Sequence, residues 1–126
     1  WNSIKLLKVS RIDHGYHMFD DIDLVKYIAT HRIPVTICPL ASVSVNYFRR
    51  ITDIPLKKAF DNGIIVSINS DDPAYFGGYI NENYTAVKNS FNMSKSELIK
   101  LAKSSITSSF MSSYMKQKLL EKIDVN

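Results

Sequence analysis

The chain has 126 residues and a formal net charge of +4, and 45% of its residues are hydrophobic and 22% charged, which is typical of one globular domain. The basic excess does not indicate a nucleic-acid partner, because the lysines of the second half recur at helical spacing among apolar residues and predict a solvated helix face. The single cysteine excludes an internal disulfide framework and favours the reducing cytoplasm, and no apolar run reaches the ~20 residues of a membrane span.

A strand and a helix are predicted in the N-terminal quarter of the chain. The strand covers about residues 8–12 and ends at His14-Gly15, where an imidazole that changes charge near neutral pH precedes a residue that permits a tight turn. A lone histidine is also a common structural residue, so His14 by itself does not define a site. Asp20-Asp21 supplies the N-cap and the first-turn charge of a helix over about residues 21–31.

A second strand and a second helix follow. Residues 33–39 predict a strand bounded by prolines, and Cys38 near its end is interpreted as a small buried residue rather than a reactive thiol. A loop over residues 40–50 leads to a helix that begins at capping candidates within residues 52–55 and ends at Asn62-Gly63. The alternation of strands with helices predicts right-handed crossovers and a parallel sheet.

The third strand is followed by two adjacent carboxylates. Residues 64–68 form an apolar, β-branched run that is typical of a buried parallel strand, and Asp71-Asp72 comes shortly after it. Two neighbouring aspartates are costly to remove from water, so a closed site here needs a cation, a proton or a donor group on a ligand. Asp-Asp-Pro and Gly-Gly are also ordinary turn sequences, and a solvated turn explains the local pattern equally well.

A parallel sheet would bring the polar residues that follow the strands to one edge. His14, Cys38 and Asp71-Asp72 all follow predicted strands at their C-terminal ends, and this is the edge where α/β proteins bind ligands. Such a set suits metal-assisted hydrolysis, with an aspartate as metal ligand and a histidine as base toward water. A mononuclear zinc site needs three or more protein ligands, and histidines at suitable positions are too few here to supply them.

Only helices are predicted after the third strand. Apolar residues mark one helix over residues 80–91, and Ser94 and Glu97 form the capping box of the next. The serine-rich residues 104–113 are interpreted as a buried turn between helices, and the last helix covers about residues 112–123. No internal repeat or domain boundary is evident, so we expect the chain to belong to a single domain.

Three motifs are similar to the last three strand ends of the adenosine and adenine deaminase family. They are Arg11-Ile12-Asp13-His14-Gly15, Cys38-Pro39-Leu40 and the run Ser67-Ile68-Asn69-Ser70-Asp71-Asp72-Pro73-Ala74-Tyr75-Phe76-Gly77-Gly78-Tyr79-Ile80. Their order and spacing match along nearly the whole chain, and the last run is highly specific. Its end, Gly77-Gly78-Tyr79-Ile80, resembles the adenine deaminase branch more than the animal-type adenosine deaminases.

The resemblance implies a zinc-dependent hydrolytic deaminase with an α/β fold of the (β/α)8 TIM-barrel type. The chain would be the C-terminal portion of the barrel domain, with strands six to eight and the C-terminal helices, and the N-terminal half would be absent. Adenine, converted into hypoxanthine and ammonia, is the expected substrate, and adenosine, converted into inosine, is the next. His14 would be the catalytic residue that positions and deprotonates the attacking water, Asp71 would be a ligand of the single Zn²⁺, and Asp72 would hydrogen-bond a purine ring nitrogen.

The sequence departs from the family pattern in two ways. The His-x-His and His-Ala-Gly-Glu motifs that normally supply the other zinc ligands and the ring-protonating acid are absent, and Ala41-Ser42 replaces the usual Ser-Asn. A barrel of this type takes ~250 residues, about twice the length of this chain. We therefore expect the parent protein to deaminate a purine and residues 1–126 alone to be inactive.

Two other classes of function fit parts of the pattern. A truncated relic without zinc, kept as an interaction module, would need no complete site. A phosphoryl-transfer enzyme would use Asp71 and Asp72 to bind Mg²⁺, which prefers oxygen ligands, but the sequence contains no P-loop. Cytidine-type zinc deaminases are excluded, because their site needs several cysteines.

Overall fold

A computed structural model describes residues 1–124 as an α/β protein built around a small parallel sheet. The sheet has three strands in the order β1-β2-β3, which are β1 (Ile12–Asp13), β2 (Val35–Ile37) and β3 (Val66–Ile68). Both strand pairs are parallel, and the register aligns Ile12, Val35 and Val66 across the sheet. The strands therefore end at one edge, as predicted. The second and third are shorter than predicted, and the first is misplaced, because the strand expected over residues 8–12 overlaps β1 only at Ile12.

Eight α-helices and two 3₁₀ helices connect and flank the strands within this part of the chain. The α-helices are α1 (Asn2–Lys5), α2 (Ile22–Thr30), α3 (Pro39–Ser44), α4 (Leu56–Asp61), α5 (Pro73–Phe76), α6 (Ile80–Phe91), α7 (Lys95–Thr107) and α8 (Ser113–Asp124). The 3₁₀ helices cover Tyr16–Asp20 and Ile51–Asp53. None of the helices in residues 1–124 combines the length and the apolar composition that a membrane-crossing helix needs.

The strands lie in the hydrophobic core. All residues of β2 and β3 are buried, and α4, α6 and α7 each pack against β3. These three helices contribute Leu56, Val87 and Leu101, which are 0% exposed. Burial of the strands among helices explains why β-branched apolar residues dominate them in the sequence. Their buried polar residues, Thr36 and Ser67, are both hydrogen-bonded.

Two predicted helix starts are confirmed. The Asp21 carboxylate accepts hydrogen bonds from the backbone N–H groups of Asp23 and Leu24 at the start of α2. Ser94 and Glu97 form the capping box of α7, in which each side chain accepts a hydrogen bond from the backbone N–H of the other residue. These bonds satisfy donors that the first helical turn leaves without a partner, and so they fix where each helix begins.

The expected loop over residues 40–50 is wrong in its first half, because Pro39–Ser44 forms α3. Pro39 occupies the start of this helix, where its fixed φ suits the helix and its missing N–H removes no hydrogen bond. The Ser42 N–H donates to the Cys38 carbonyl at 3.0 Å and closes the first turn. The second strand therefore passes directly into a helix.

The expected helix start within residues 52–55 is also wrong. Asp53 belongs to a 3₁₀ helix and pairs with the Arg50 guanidinium, with 3.0 Å between Nη2 and Oδ1, so it does not cap α4. That helix begins only at Leu56. Its predicted end is confirmed, since Gly63 follows the helix with a φ of +72°, a conformation that favours glycine.

The serine-rich residues 104–113 differ from the expected buried turn. The helix α7 continues to Thr107, and the Ser105 hydroxyl donates to a carbonyl one turn earlier at 3.2 Å rather than interrupting the helix. In the turn that follows, Phe110 is 75% exposed and packs against the Arg11 guanidinium, 4.6 Å from the ring centre. The turn therefore lies mainly at the surface.

Candidate active site

His14 is placed by a sharp turn at the end of β1. It adopts a φ of +54°, and its backbone N–H donates to the Thr36 hydroxyl on β2 at 3.3 Å. The next residue, Gly15, has no room for a side chain, because a Cβ there would lie 2.8 Å from Val35 Cγ1. The glycine of the His-Gly motif thus lets the chain turn closely against β2, and the His14 imidazole leaves the sheet at its C-terminal edge.

Asp71 is placed by the loop after β3. The first residues of this loop still pair with β2, because the Asn69 N–H donates to the Ile37 carbonyl at 2.9 Å. The backbone then turns at Asp71, which has a φ of +59°. Asp71 Oδ2 lies 3.6 Å from His14 Nε2, and the two side chains are 35% and 47% exposed, respectively. The structure therefore brings together two of the three predicted site residues from different strand ends.

Asp72 takes a different position from its neighbour. It precedes α5, and its side chain makes no capping hydrogen bond to that helix. The residue is exposed, so its carboxylate is accessible to a ligand. It lines neither of the two cavities that His14 and Asp71 share.

A fully buried amide ties the turn between α5 and α6 to the helix after β2. Asn83 on α6 is 0% exposed; its Oδ1 accepts from the Leu40 N–H at 3.1 Å, and its Nδ2 donates to the Tyr79 carbonyl at 2.9 Å and the Gly78 carbonyl at 3.4 Å. Gly78 has a φ of +104°, and a Cβ there would lie 2.5 Å from Leu40 Cδ1. Sequence reasoning missed Asn83, although a polar residue at i+3 from Ile80, within an apolar stripe, signals a buried hydrogen bond.

We expect Asn83→Ala to lower the free energy of unfolding of residues 1–126 by about 1–3 kcal/mol, because the part-buried Leu40 N–H would lose its acceptor. Urea denaturation followed by circular dichroism measures the change. Asn81→Ala is the matched control, since Asn81 is exposed on the same helix, and it should change the stability by less than ~0.5 kcal/mol. Equal losses in the two variants would contradict a structural role for the Asn83 amide.

The first cavity at the strand ends has a volume of about 310 Å³, which is within the range of small-molecule sites. The residues that line it combine the His14 and Asp71 pair with aromatic and small side chains, including Tyr16, Tyr47, Phe76, Ala41 and Ser42. Ser42 belongs to the Ala41-Ser42 pair that departs from the Ser-Asn expected from the resemblance. Its hydroxyl lies 2.5 Å from the Tyr16 Oη and donates to the Cys38 carbonyl at 2.8 Å, so the substituted turn remains fully hydrogen-bonded.

Burial changes the acidity of Tyr16, which lines the first cavity. Removal of the phenol from water raises the pKa of Tyr16 above its ordinary value, although the hydrogen bond with Ser42 opposes the effect. Tyr16 is therefore a neutral phenol near neutral pH. Its ring packs edge-on against Phe48 with 5.0 Å between ring centres, which fixes it as a rigid wall of the cavity.

A second cavity of about 290 Å³ shares His14 and Asp71 with the first and includes Cys38 in its lining. Cys38 is 3% exposed, which confirms the prediction of a small buried residue. Burial, and then the charges of Asp71 and Asp13, raise the pKa of the thiol to about 12. One potential ligand atom from each of His14, Cys38 and Asp71 lies within 4.8 Å of the other two.

We expect Cys38 to be nearly unreactive toward iodoacetamide while the chain is folded. The residue is 3% exposed, and a pKa of about 12 leaves about one thiol in 10⁴ ionised at pH 8, whereas the thiolate is the reactive form. Mass spectrometry of the labelled chain at pH 8, in buffer and in urea, measures the two rates. Labelling at the same rate under both conditions would contradict the burial of this thiol.

The profile of one protein family covers the entire chain. The description of that family is adenosine deaminase, and the match extends over residues 1–126. The chain belongs to the adenosine deaminase family. The resemblance predicted from the three strand-end motifs is thereby confirmed.

Two relatives of the chain, one a curated protein and one a solved structure, are named adenine deaminase. An adenine deaminase from Crocosphaera subtropica is 46% identical over 119 residues, which are 94% of this chain and 36% of that protein. A crystal structure of an adenine deaminase from Arthrobacter aurescens is 37% identical and has a TM-score of 0.94, over 98% of this chain and 38% of that one. These names confirm the predicted similarity to the adenine deaminase branch.

The chain matches only part of the length of its relatives. The chain spans about a third of the curated relatives that it matches, and its parallel sheet fits part of a barrel. An amidohydrolase from Burkholderia ambifaria, solved with bound Zn, has a TM-score of 0.84 over 98% of this chain and 36% of that one. At 22% sequence identity, this last likeness shows the fold alone.

Proposed function

We propose that the chain is part of a zinc-dependent hydrolytic purine deaminase that converts adenine into hypoxanthine and ammonia, with adenosine to inosine as the alternative reaction. In this proposal residues 1–126 form the C-terminal portion of a (β/α)8 barrel, with β1, β2 and β3 as strands six, seven and eight. The observation that carries the proposal is the His14 and Asp71 pair, 3.6 Å apart at the strand ends, in a chain of the adenosine deaminase family.

The donors at this edge fit a zinc ion chemically. Zinc is bound in proteins by imidazole nitrogen, carboxylate oxygen and thiolate sulfur, and Asp71 presents a carboxylate beside the His14 imidazole. We assign Asp71 as the zinc ligand from this chain, and the remaining ligands of the deaminase would come from the rest of the barrel. The bound ion would act as a Lewis acid that lowers the pKa of water and makes it a nucleophile at neutral pH.

His14 acts in this proposal as the general base. Its Nε2 faces the carboxylate of Asp71 across the shared cavity wall, so a water molecule near both groups would be within reach of the imidazole nitrogen. A neutral imidazole accepts a proton near neutral pH and returns it in a later step. The left-handed turn at His14 and the Thr36 hydrogen bond hold the backbone of this residue in place at the strand end.

Asp72 acts in this proposal as a substrate-binding residue. Its exposed carboxylate makes no capping bond to α5, so it is available to accept a hydrogen bond from a purine ring nitrogen that carries a proton. The two adjacent aspartates would then serve different partners, the metal ion and the base. Such a division avoids the cost of burying two unpaired carboxylates side by side.

A chimeric enzyme tests this function directly. The 119-residue segment of the Crocosphaera subtropica adenine deaminase that matches this chain would be replaced by residues 1–126. We expect the purified chimera to release ammonia from adenine and residues 1–126 alone to release none, because the chain supplies only part of the site. A folded, zinc-loaded chimera without activity on adenine or adenosine would contradict the proposed function, and deamination by residues 1–126 alone would contradict the half-site proposal.

A further inference from the structure

We propose that His14, Cys38 and Asp71 form a metal site of a second kind, which binds thiophilic divalent ions through the Cys38 sulfur. Ligand atoms of the three residues lie within 4.8 Å of one another, and they include a nitrogen, a sulfur and an oxygen. The deaminase proposal gives Cys38 no role. The inference goes beyond that proposal, since it requires neither a complete barrel nor catalysis.

The three donors come from fixed positions at the ends of three strands. The His14 N–H donates to Thr36 at 3.3 Å, and the Cys38 carbonyl accepts both the Ser42 N–H and the Ser42 hydroxyl. Two donors around a tetrahedral zinc ion are separated by roughly 3.3–3.5 Å, from the usual zinc–ligand distances. The His14 to Asp71 separation of 3.6 Å is therefore already close to that spacing, and both exposed side chains can move toward the buried sulfur.

The charge around the thiol favours a cation. The carboxylates of Asp13 and Asp71 line the same cavity as Cys38, and the Arg11 guanidinium pairs with Asp13 there at 2.9 Å. The negative charge that remains near the thiol is therefore that of Asp71, which attracts a divalent ion. On binding, the S–H bond breaks, a metal–sulfur bond forms and the proton leaves to the solvent, so the metal charge replaces the proton on sulfur. Soft thiolate ligands favour ions such as Zn²⁺ and Cd²⁺ over Mg²⁺ and Ca²⁺.

An ion can reach the buried sulfur from the second cavity. That cavity of about 290 Å³ is lined by Cys38, His14 and Asp71 together, whereas the first cavity is lined by His14 and Asp71 without Cys38. An ion bound through sulfur would therefore use two residues, His14 and Asp71, that also line the proposed substrate cavity. Thiophilic ions would then compete with the deaminase for Asp71 and His14.

Cadmium titration of the reduced, metal-free chain of residues 1–126 tests the proposal. We expect a cadmium–thiolate charge-transfer absorption in the ultraviolet that saturates at one ion per chain. The sulfur must belong to Cys38, because the sequence contains one cysteine. Cys38→Ser should remove the band, and His14→Ala and Asp71→Asn should each weaken the affinity by at least about tenfold, since each removes a ligand.

Two neighbouring residues provide matched controls. His17→Ala removes a histidine three positions from His14, and Asp72→Asn neutralises the carboxylate next to Asp71; neither belongs to the three-residue cluster, so both variants should bind cadmium like the parent chain. Absence of the band would overturn the proposal. A band with unchanged affinity in the His14 and Asp71 variants would also overturn it, because that result shows a cysteine binding the ion alone.

X-ray absorption of the zinc-loaded parent chain gives a readout that does not depend on how any variant folds. We expect one sulfur at about 2.3 Å from zinc beside nitrogen and oxygen ligands at about 2.0–2.2 Å. A shell of nitrogen and oxygen alone would overturn the inference. Either result leaves the chimera activity test unaffected, so the metal-site proposal and the deaminase proposal can fail separately.

Discussion

In the chimeric enzyme, His14→Ala should lower kcat for adenine by about 10²- to 10⁴-fold, the range that a positioned general base contributes. The reason is geometric, since the imidazole Nε2 lies 3.6 Å from the carboxylate that we assign to the metal. Steady-state assays of ammonia release from adenine measure the effect.

His31→Ala is the matched control for the loss of an imidazole. His31 follows α2 at the opposite end of the strand–helix unit, where its ring stacks on Tyr27 with 3.7 Å between ring centres. This variant should retain the kcat of the chimera. A His14→Ala enzyme with normal kcat, or an equal loss in both variants, would contradict the assignment of His14 as the base.

A second experiment on the chimera should distinguish the roles of the two adjacent aspartates. We expect Asp71→Asn to lose bound zinc and more than ~100-fold in activity, because removal of a direct ligand costs more than removal of a group that only supports one. Asp72→Asn should keep its zinc and lose about 10- to 150-fold in kcat/KM, which corresponds to a hydrogen bond with a charged acceptor of about 1.5–3 kcal/mol. Zinc content by mass spectrometry and kcat/KM for adenine are the two measurements.

Each substitution is the control for the other, because both change a carboxylate to an amide at neighbouring positions in one loop. Loss of zinc in both variants would assign the metal to the pair rather than to Asp71. Retention of zinc and activity in the Asp71 variant would remove the basis of the proposed site. If both variants kept full activity, Asp71 and Asp72 would be residues of an ordinary solvated turn, the alternative that the local sequence also fits.

The sequence predicted the parts of this site that depend on chain topology. Alternating strands and helices require a parallel sheet, and that sheet brings His14, Cys38 and Asp71 to one edge. The capping residues Asp21 and Ser94 were predictable for a related reason, because the residue that satisfies the first turn of a helix is local in sequence. Both kinds of prediction use short-range rules that the rest of the fold does not override.

The sequence did not predict the contacts that cross between elements. The bond from Asn83 to the Leu40 N–H joins residues far apart in the chain, and no local pattern indicates that partner. The helix α3 was missed because residues after Pro39 have weak helical periodicity, and it is fixed instead by the Ser42 bonds to the Cys38 carbonyl. The exposure of Phe110 was missed because an apolar side chain in a serine-rich turn gives no sign of which face the turn presents.

The Asn83 amide joins two segments that follow different strands. Its three hydrogen bonds connect the start of α3, after β2, to the turn between α5 and α6, after β3. Hydrogen exchange at the Leu40 amide therefore requires that this connection open, and its rate would report how often the two segments separate in the folded protein.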